Sequence, residues 1–331
     1  MKEKKATISS VAKLAGVSNA TVSYVLTGNR NVSPKTKKRI QSAMQELDYR
    51  PNIVARSLKT GRNHLIGLVV PDVSTYYYGK MVEKVESVVI PRGYTLLVAN
   101  TKERLERELH ILETFSSSLV DGLILSSCAE KYEDISSYIS NQIPMLFIDR
   151  KPSGCTMNSV TTSSYAAVCN AMIYLFENGH SNIGYLSEKT CLSDEAERFN
   201  AYKDSLSAHG IPYNEKQVML FNRFLDNTGN NLKSLIDEGC TAIIIGNQVM
   251  TFDAFSFAVR TGIKLGTDVE IIGFHDPYQE PLANPGRPVI EEPASDMETM
   301  AATEIISMIE ATEEEMVPSD KILVSRFRLN I

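Results

Sequence analysis

The five cysteines, Cys128, Cys155, Cys169, Cys191 and Cys240, are odd in number and hold no Cys-x-x-Cys spacing. That excludes a zinc ribbon and a disulfide framework, and leaves scattered small hydrophobes in a reduced compartment. Apolar runs such as Leu65–Val70 and Ala242–Ile245 fall far short of the roughly 20 residues that span a bilayer. No apolar segment follows Met1–Lys5, so neither a secretory signal nor a membrane partner is expected, and the cytoplasm is the expected compartment. G-x-G-x-x-G, P-loop, G-x-S-x-G and H-E-x-x-H patterns are all missing, and His64, His110, His180, His209 and His275 are dispersed. His275-Asp276 are adjacent, but adjacency alone is weak evidence for chemistry. An enzyme is therefore not expected, and neither is a cofactor or a metal site.

Acidic residues are scarce at the start of the chain. Residues 1–62 hold thirteen Lys/Arg against Glu3, Glu46 and Asp48, a local charge of +10, whereas the whole chain carries −6. The remaining residues therefore carry −16. A basic module on an acidic body is the charge asymmetry of a nucleic-acid binder. The length of 331 residues and 43% hydrophobic content suit two or three folding units.

The first 49 residues show three helical patterns and no strand, and Arg50-Pro51 interrupts the last helix. From Leu65 apolar runs alternate with amphipathic stretches. The runs are Leu65–Val70, Tyr94–Ala99, Asp121–Ser126 and Pro144–Ile148, with helices expected at 75–91, 103–117 and 131–141. After a break near 151–160 come Asn182–Leu186, Gln217–Phe221, Thr241–Ile245 and Val269–Phe274, with helices at 164–178, 194–209, 226–238 and 249–261. Repeated βα units predict parallel sheets covered on both faces, and two series predict two doubly wound lobes. The tail holds a helix near 294–310 and a strand near 322–327, long enough to cross between lobes. The reading is thus an all-α head at 1–50, a linker at 51–62 and an α/β body at 63–331. Lobe 1 is expected at about 63–158 plus 290–320, and lobe 2 at about 159–289 plus 321–331.

The stretch Ile8–Leu26 predicts a helix-turn-helix. Val11, Ala12, Val17, Val22 and Val25 can pack across a turn at Gly16, where a left-handed backbone suits glycine. Ser18 is placed to cap the next helix, which exposes Asn19, Ala20, Ser23 and Tyr24. Its N-terminal residues would enter the major groove. Ser33 and Pro34 start a third helix with an apolar stripe of Ile40, Ala43, Met44 and Leu47 and a basic patch of Lys35, Lys37, Lys38 and Arg39.

With these residues in view, the chain resembles the LacI/GalR family of transcription regulators. The likeness runs through Val11–Ser18, Ala20–Ser23, Leu47–Asn52, Ala55–Gly61 and Ile66–Asp72. It continues more thinly through Asp121-Gly122, Ile148–Arg150, Gly179-His180, Arg198 before Tyr202, and Gly273–Asp276. The resemblance implies a DNA-binding regulator, most simply a repressor, whose body has the periplasmic-binding-protein type I fold and binds a small-molecule effector between its lobes. It implies phosphate contacts from Thr7, Ser18, Thr21, Ser23 and Tyr49, and base contacts from Asn19, Ala20 and Tyr24. It also implies a hinge at residues 52–58 that folds only when two copies pair on DNA. There Asn52, Ala55 and Arg56 meet the duplex and Leu58 wedges into the minor groove; packing of Leu58 against the body is the alternative. The family usually has Arg where Tyr24 stands, and Tyr cannot pair bidentately with guanine. One head offers few base-reading side chains, so a homodimer on palindromic double-stranded operator DNA is expected, with a tetramer built from it also open.

The resemblance places the effector pocket at Tyr77 (or Tyr76 or Tyr78), Arg198, Asn247, Gln248 and Asp276. Two family positions depart. An Asp-Asn pair reads Thr162-Ser163, and an Asn-Asp pair reads Asn247-Gln248. Fewer carboxylates beside a retained Arg198 point to a sugar phosphate or acidic metabolite rather than a free sugar. The alternatives are a protein co-regulator or no effector. Asp149 and Arg150 read as a structural ion pair. An enzyme or a sugar-binding protein on the same α/β fold is the rival from another class.

Overall fold

The computed structural model describes residues 6–27, 30–49, 62–117, 119–140, 143–188, 193–222, 225–275, 286–311 and 319–329. It divides into two compact units, Met1–Asn63 and His64–Ile331.

In the first unit, α1 (Ile8–Ala15), α2 (Asn19–Thr27) and α3 (Pro34–Glu46) form a small bundle. Thr7 and Ser10 cap α1 reciprocally, and Gly16 ends it with φ of 64°, a conformation cheap only for glycine. Ser18 Oγ accepts the Thr21 backbone N–H at 3.1 Å. Ser33 caps α3 in the same way, accepting from Thr36 N at 3.3 Å, with Pro34 in its first turn. Val11, Ala12, Ala15, Val22, Ile40 and Ala43 are buried together. Lys35, Lys37, Lys38 and Arg39 are all exposed, as expected, and Arg39 has a second role. Its guanidinium donates to the Ala15 and Gly16 carbonyls, satisfying acceptors that the end of α1 leaves open.

The second unit starts with β1 (Leu65–Val70), β2 (Thr95–Asn100), β3 (Gly122–Leu125), β4 (Met145–Asp149) and β5 (Ser159–Ser163). With β12 (Asp320–Val324) they make a six-stranded parallel sheet in the order β12-β5-β4-β3-β1-β2. Alternation along the strands splits the apolar side chains between two faces. Ile66, Leu68 and Val70 pack beneath α4 (Tyr76–Val89) and α11 (Ala294–Glu310), whereas Val69 packs beneath α5 (Leu105–Ser116).

The second lobe carries β6 (Ile183–Ser187), β7 (Val218–Leu220), β8 (Ala242–Ile245) and β9 (Glu270–Ile272), in the order β7-β6-β8-β9. One face is covered by α7 (Tyr165–Glu177) and α8 (Ser193–Ala208), the other by α9 (Thr228–Asp237) and α10 (Gln248–Thr261). A small ribbon of β10 (Phe274–His275), β11 (Val289–Glu291) and β13 (Arg326–Arg328) completes it. The chain passes between the lobes three times: from β5 into α7, from β11 into α11 at Glu292, and from β12 to β13 through Ser325. Ser164 and Ser325, on two of these crossings, share a hydroxyl hydrogen bond at 2.9 Å.

Two strands were not anticipated. The segment 159–163 reads as a break because it is Ser-Val-Thr-Thr-Ser, yet Val160 is fully buried and β4 and β12 flank it. Val289–Glu291 is short. Lobe 1 therefore takes 159–163 and 321–324, which the sequence reading places in lobe 2. The helix expected at 131–141 shrinks to α6 (Glu133–Ser136), where only Ile135 is buried.

Candidate functional site

The head presents one polar face. Thr7, Ser18, Asn19 and Ala20 are exposed, and Thr21, Ser23 and Tyr24 are half-buried. Ser18 and Thr21 hydroxyls bond each other at 2.9 Å at the start of α2, where the helix dipole favours an anion. Asn19 and Ala20 stand on the first turn beside them. Tyr24 sits one turn further along, and the Arg30 guanidinium lies 5.2 Å from its ring centroid. Thus a guanidinium does stand beside position 24, supplied from the following loop. Tyr49 leans on the head's apolar core. Asn52, Ala55, Arg56 and Leu58, the hinge residues expected to meet DNA, lie outside the described residues, as does Asp276.

In the body, Tyr77, Arg198, Asn247 and Gln248 come together between the lobes around an inner chamber of about 40 Å³. Tyr77 opens into an outer chamber of about 520 Å³ that also touches Gln248 and Glu292. Of the three tyrosines, Tyr77 lines both chambers, Tyr78 only the inner and Tyr76 only the outer of the two. The Tyr77 hydroxyl donates to Asp149 Oδ1 at 2.8 Å, and Tyr78 to Asp149 Oδ2 at 3.3 Å. Asp149 has φ of 69°, a rare conformation for a non-glycine residue and one that clusters at functional sites. Arg150 turns mainly to Glu103, at 2.8 Å, and only loosely to Asp149, at 3.8 Å. The Asp149–Arg150 pair read from the sequence is thus subordinate.

Arg198 is 3% exposed. It reaches Glu292 at 2.7 Å, Asp194 one helical turn earlier at 3.7 Å, and the Gly246 carbonyl at 2.6 Å. Its guanidinium carbon lies 4.0 Å from the Phe274 ring centroid, a cation–π geometry. Burial opposes the charge on Arg198, but Glu292 and Asp194 outweigh it and raise its pKa. Asn247 does two jobs. Its side-chain oxygen caps α10 at Met250 N, 2.9 Å away, and its amide donates to Glu195 at 3.0 Å and Glu188 at 3.3 Å.

The expectation of a carboxylate-poor cleft fails. Asp149, Glu188, Asp194, Glu195 and Glu292 all line the inner chamber, against Arg150 and Arg198. Burial, then the charge of Asp194, pushes the Glu195 carboxyl up to about 8. Burial likewise raises Asp149 and Glu292. Thr162 and Ser163, expected in place of a family Asp-Asn pair, hold the crossing instead. Thr162 donates to Glu292 at 3.2 Å and Ser163 to Glu197 at 2.5 Å. Sequence reasoning could have found Asp194, which sits at helical spacing from Arg198. Glu292 carried no such signal. Among the described residues no group of His, Cys, Asp or Glu is placed to hold a metal ion. No helix among them is long and apolar enough to cross a membrane.

Residues 7–52 match the profile of bacterial regulatory proteins of the lacI family, and residues 63–318 that of periplasmic binding proteins and the sugar binding domain of the LacI family. The chain belongs to the LacI family. The ribose operon repressor of Bacillus subtilis (strain 168) is 31% identical, over 92% of each chain. The catabolite control protein A of Priestia megaterium is 29% identical, over 89% of this chain and 90% of the relative. A lac repressor dimer bound to operator and the anti-inducer ONPF shares the fold, with a TM-score of 0.82 at 21% identity over 99% of this chain and 98% of that one. Like other LacI-family members, the chain is a helix-turn-helix transcription regulator and not an enzyme. The head-and-body architecture expected from the sequence is the family's.

Gly246, whose carbonyl receives Arg198, is held by close approach. A Cβ there would stand 1.8 Å from Ser187 Oγ and 2.6 Å from Ser187 Cβ. Ser187 is itself fully buried and bonds Glu195, so moving it costs that bond. Gly246→Ala is expected to destabilise the body by about 1–3 kcal/mol through overpacking, measured by denaturant unfolding. A loss under about 0.5 kcal/mol, within the usual range for a surface substitution, would show that the strand end relaxes freely.

Proposed function

We propose that this chain represses transcription in the cytoplasm by binding a palindromic operator as a homodimer, under control of a small molecule bound between its lobes. The observation that carries the reading is the first turn of α2. Asn19 and Ala20 are exposed there, beside an N-terminus suited to a phosphate, on a strongly basic head. The repressor names of the relatives support the direction of control, and the operator-bound lac repressor dimer supports the pairing. Asn52, Ala55, Arg56 and Leu58 would complete the interface in the minor groove, and Tyr49 would reach the backbone.

The cleft supports the effector role. Glu292 lies on a crossing, Arg198 on the second lobe and Asp149 on the first. A molecule contacting these groups would bind open and closed lobe arrangements unequally, which is the condition for shifting the equilibrium. A sugar phosphate or acidic metabolite was expected here on the strength of Arg198. The structure weighs against it, because Arg198 and Arg150 are already paired and five carboxylates surround the space.

Operator selection from random DNA with the full chain tests the main reading. Enrichment of an inverted repeat is expected, with half-sites about one helical turn apart. Tyr24→Arg is expected to change the consensus at one position per half-site, because Arg seeks guanine O6 and N7, while non-specific affinity moves little. Unchanged consensus sequences would remove Tyr24 from the base-reading set, and selection of a site without two-fold symmetry would remove the dimer.

A further inference from the structure

We propose that the effector is an organic cation whose primary ammonium group seats in the inner chamber against Asp194, with the rest of the molecule in the outer chamber. The proposal rests on the reading of the cleft as the effector site and specifies its ligand.

Size comes first. At about 40 Å³ the inner chamber has room for a small polar head such as an ammonium, and the outer chamber of about 520 Å³ has room for the rest of a molecule. Charge comes second. Five carboxylates face the inner chamber against two arginines, and both arginines are already engaged, Arg198 with Glu292 and Arg150 with Glu103. Each guanidinium keeps one buried Nε without a hydrogen-bond partner, but its charge is already matched by a carboxylate, so the net charge of this wall favours a cation over an anion.

An independent observation points the same way. The Asp194 side chain is 9% exposed, and one of its oxygens has no hydrogen-bond partner. A buried acceptor without a donor is costly, and an ammonium brings three donors and a compensating charge. The outer chamber continues the pattern. It places Glu83, Glu291, Glu292, Asp296 and Glu298 against Lys80 and Lys84, and the Tyr76 and Tyr77 rings on its wall can face further positive charge. Burial, with the charge of Asp194 added to it, raises the carboxyls of Glu195, Asp149 and Glu292 despite the nearby arginines. A bound ammonium would draw their protons off.

The test is calorimetry and thermal shift on the full chain with putrescine, spermidine and glucosamine. Glucose, ribose and glucose 6-phosphate serve as comparisons, all at matched ionic strength. Saturable binding of an amine is expected, with proton release seen as a heat that depends on buffer ionisation. Asp194→Asn should weaken it at least tenfold. Glu292→Gln, which frees Arg198, should weaken the amine and strengthen glucose 6-phosphate, so the outcome does not hang on one variant folding. Binding of a sugar or sugar phosphate without any amine would overturn the ammonium site and leave the effector cleft standing. So would silence from every amine, or amine binding indifferent to both variants. Amine binding that depends on Asp194 but leaves operator affinity unmoved in a gel shift would keep the ammonium site and overturn the effector role.

Discussion

Arg198→Ala is expected to destabilise the body by about 3–5 kcal/mol near pH 8, the usual cost of leaving a buried partner uncompensated. The substitution removes the cation that faces Glu292 and Asp194, the donor to the Gly246 carbonyl and the stack on Phe274. Glu292 is itself buried, so water cannot replace the lost partner cheaply.

The deficit should depend on pH, and its sign follows from the acids. The Glu195 carboxyl is pushed up to about 8, so below that value the folded chain holds a proton there. The unfolded chain releases it at roughly 4.3. Stability therefore falls as pH rises across that window. Without Arg198 the neighbouring carboxyls rise further, so the variant's deficit should be smallest near pH 5.5 and grow towards pH 8.5. Burial likewise pushes Glu298 to about 8, but that group is common to both proteins and cancels in the difference. Unfolding free energies at three pH values decide it. A variant within about 0.5 kcal/mol of the parent at every pH, the range of an ordinary surface change, would show that Arg198 is not the fastener.

This prediction marks the boundary of what the chain reveals as sequence. The helix-turn-helix was legible because its determinants are local. Gly16 needs a left-handed turn, Ser18 caps within three residues, and Val22 packs within the same short unit. The strands that read as continuous apolar runs, Leu65–Val70 among them, were legible for the same reason. Ser159–Ser163 was not, because its strand character comes from neighbours on both sides rather than from its own hydrophobicity. In the cleft, Tyr77, Arg198, Asn247 and Gln248, the residues that the resemblance named, line one chamber, but the pairing of Arg198 was not among its implications. Its partner Glu292 lies 94 residues away in sequence, on a crossing segment between β11 and α11 whose position depends on both lobes. Which residues meet in the cleft was readable from the resemblance; their charge balance required knowing which charges are already paired. Arg39 makes the same point on a smaller scale, since a basic residue in a basic run turns out to close the end of α1.

Operator affinity is expected to fall by about 10³–10⁵-fold between 50 and 200 mM salt, as for a protein neutralising roughly six to ten phosphates. The head exposes Lys13, Lys35, Lys37 and Lys38, so the proposed dimer would offer eight such lysines to the duplex, within that range. Thr7, Ser18, Thr21 and Ser23, as proposed phosphate partners, would add hydroxyl contacts that fix register, but would displace few counterions because they carry no charge. Base-reading groups behave differently again, since their loss changes preference among sequences more than it changes the salt slope. Lys37→Ala, which removes one charge from each head, should therefore flatten a plot of log affinity against log salt by about 1.8, twice the per-phosphate slope. Its effect on a specific site and on random DNA should be similar. Tyr24→Arg should do the opposite, altering preference with the slope nearly unchanged. Fluorescence anisotropy over a salt series, on the selected operator and on a scrambled duplex, separates the two. A slope shallower than about −2 for the parent protein, equivalent to two phosphates or fewer, would mean that the basic head is not what holds the duplex.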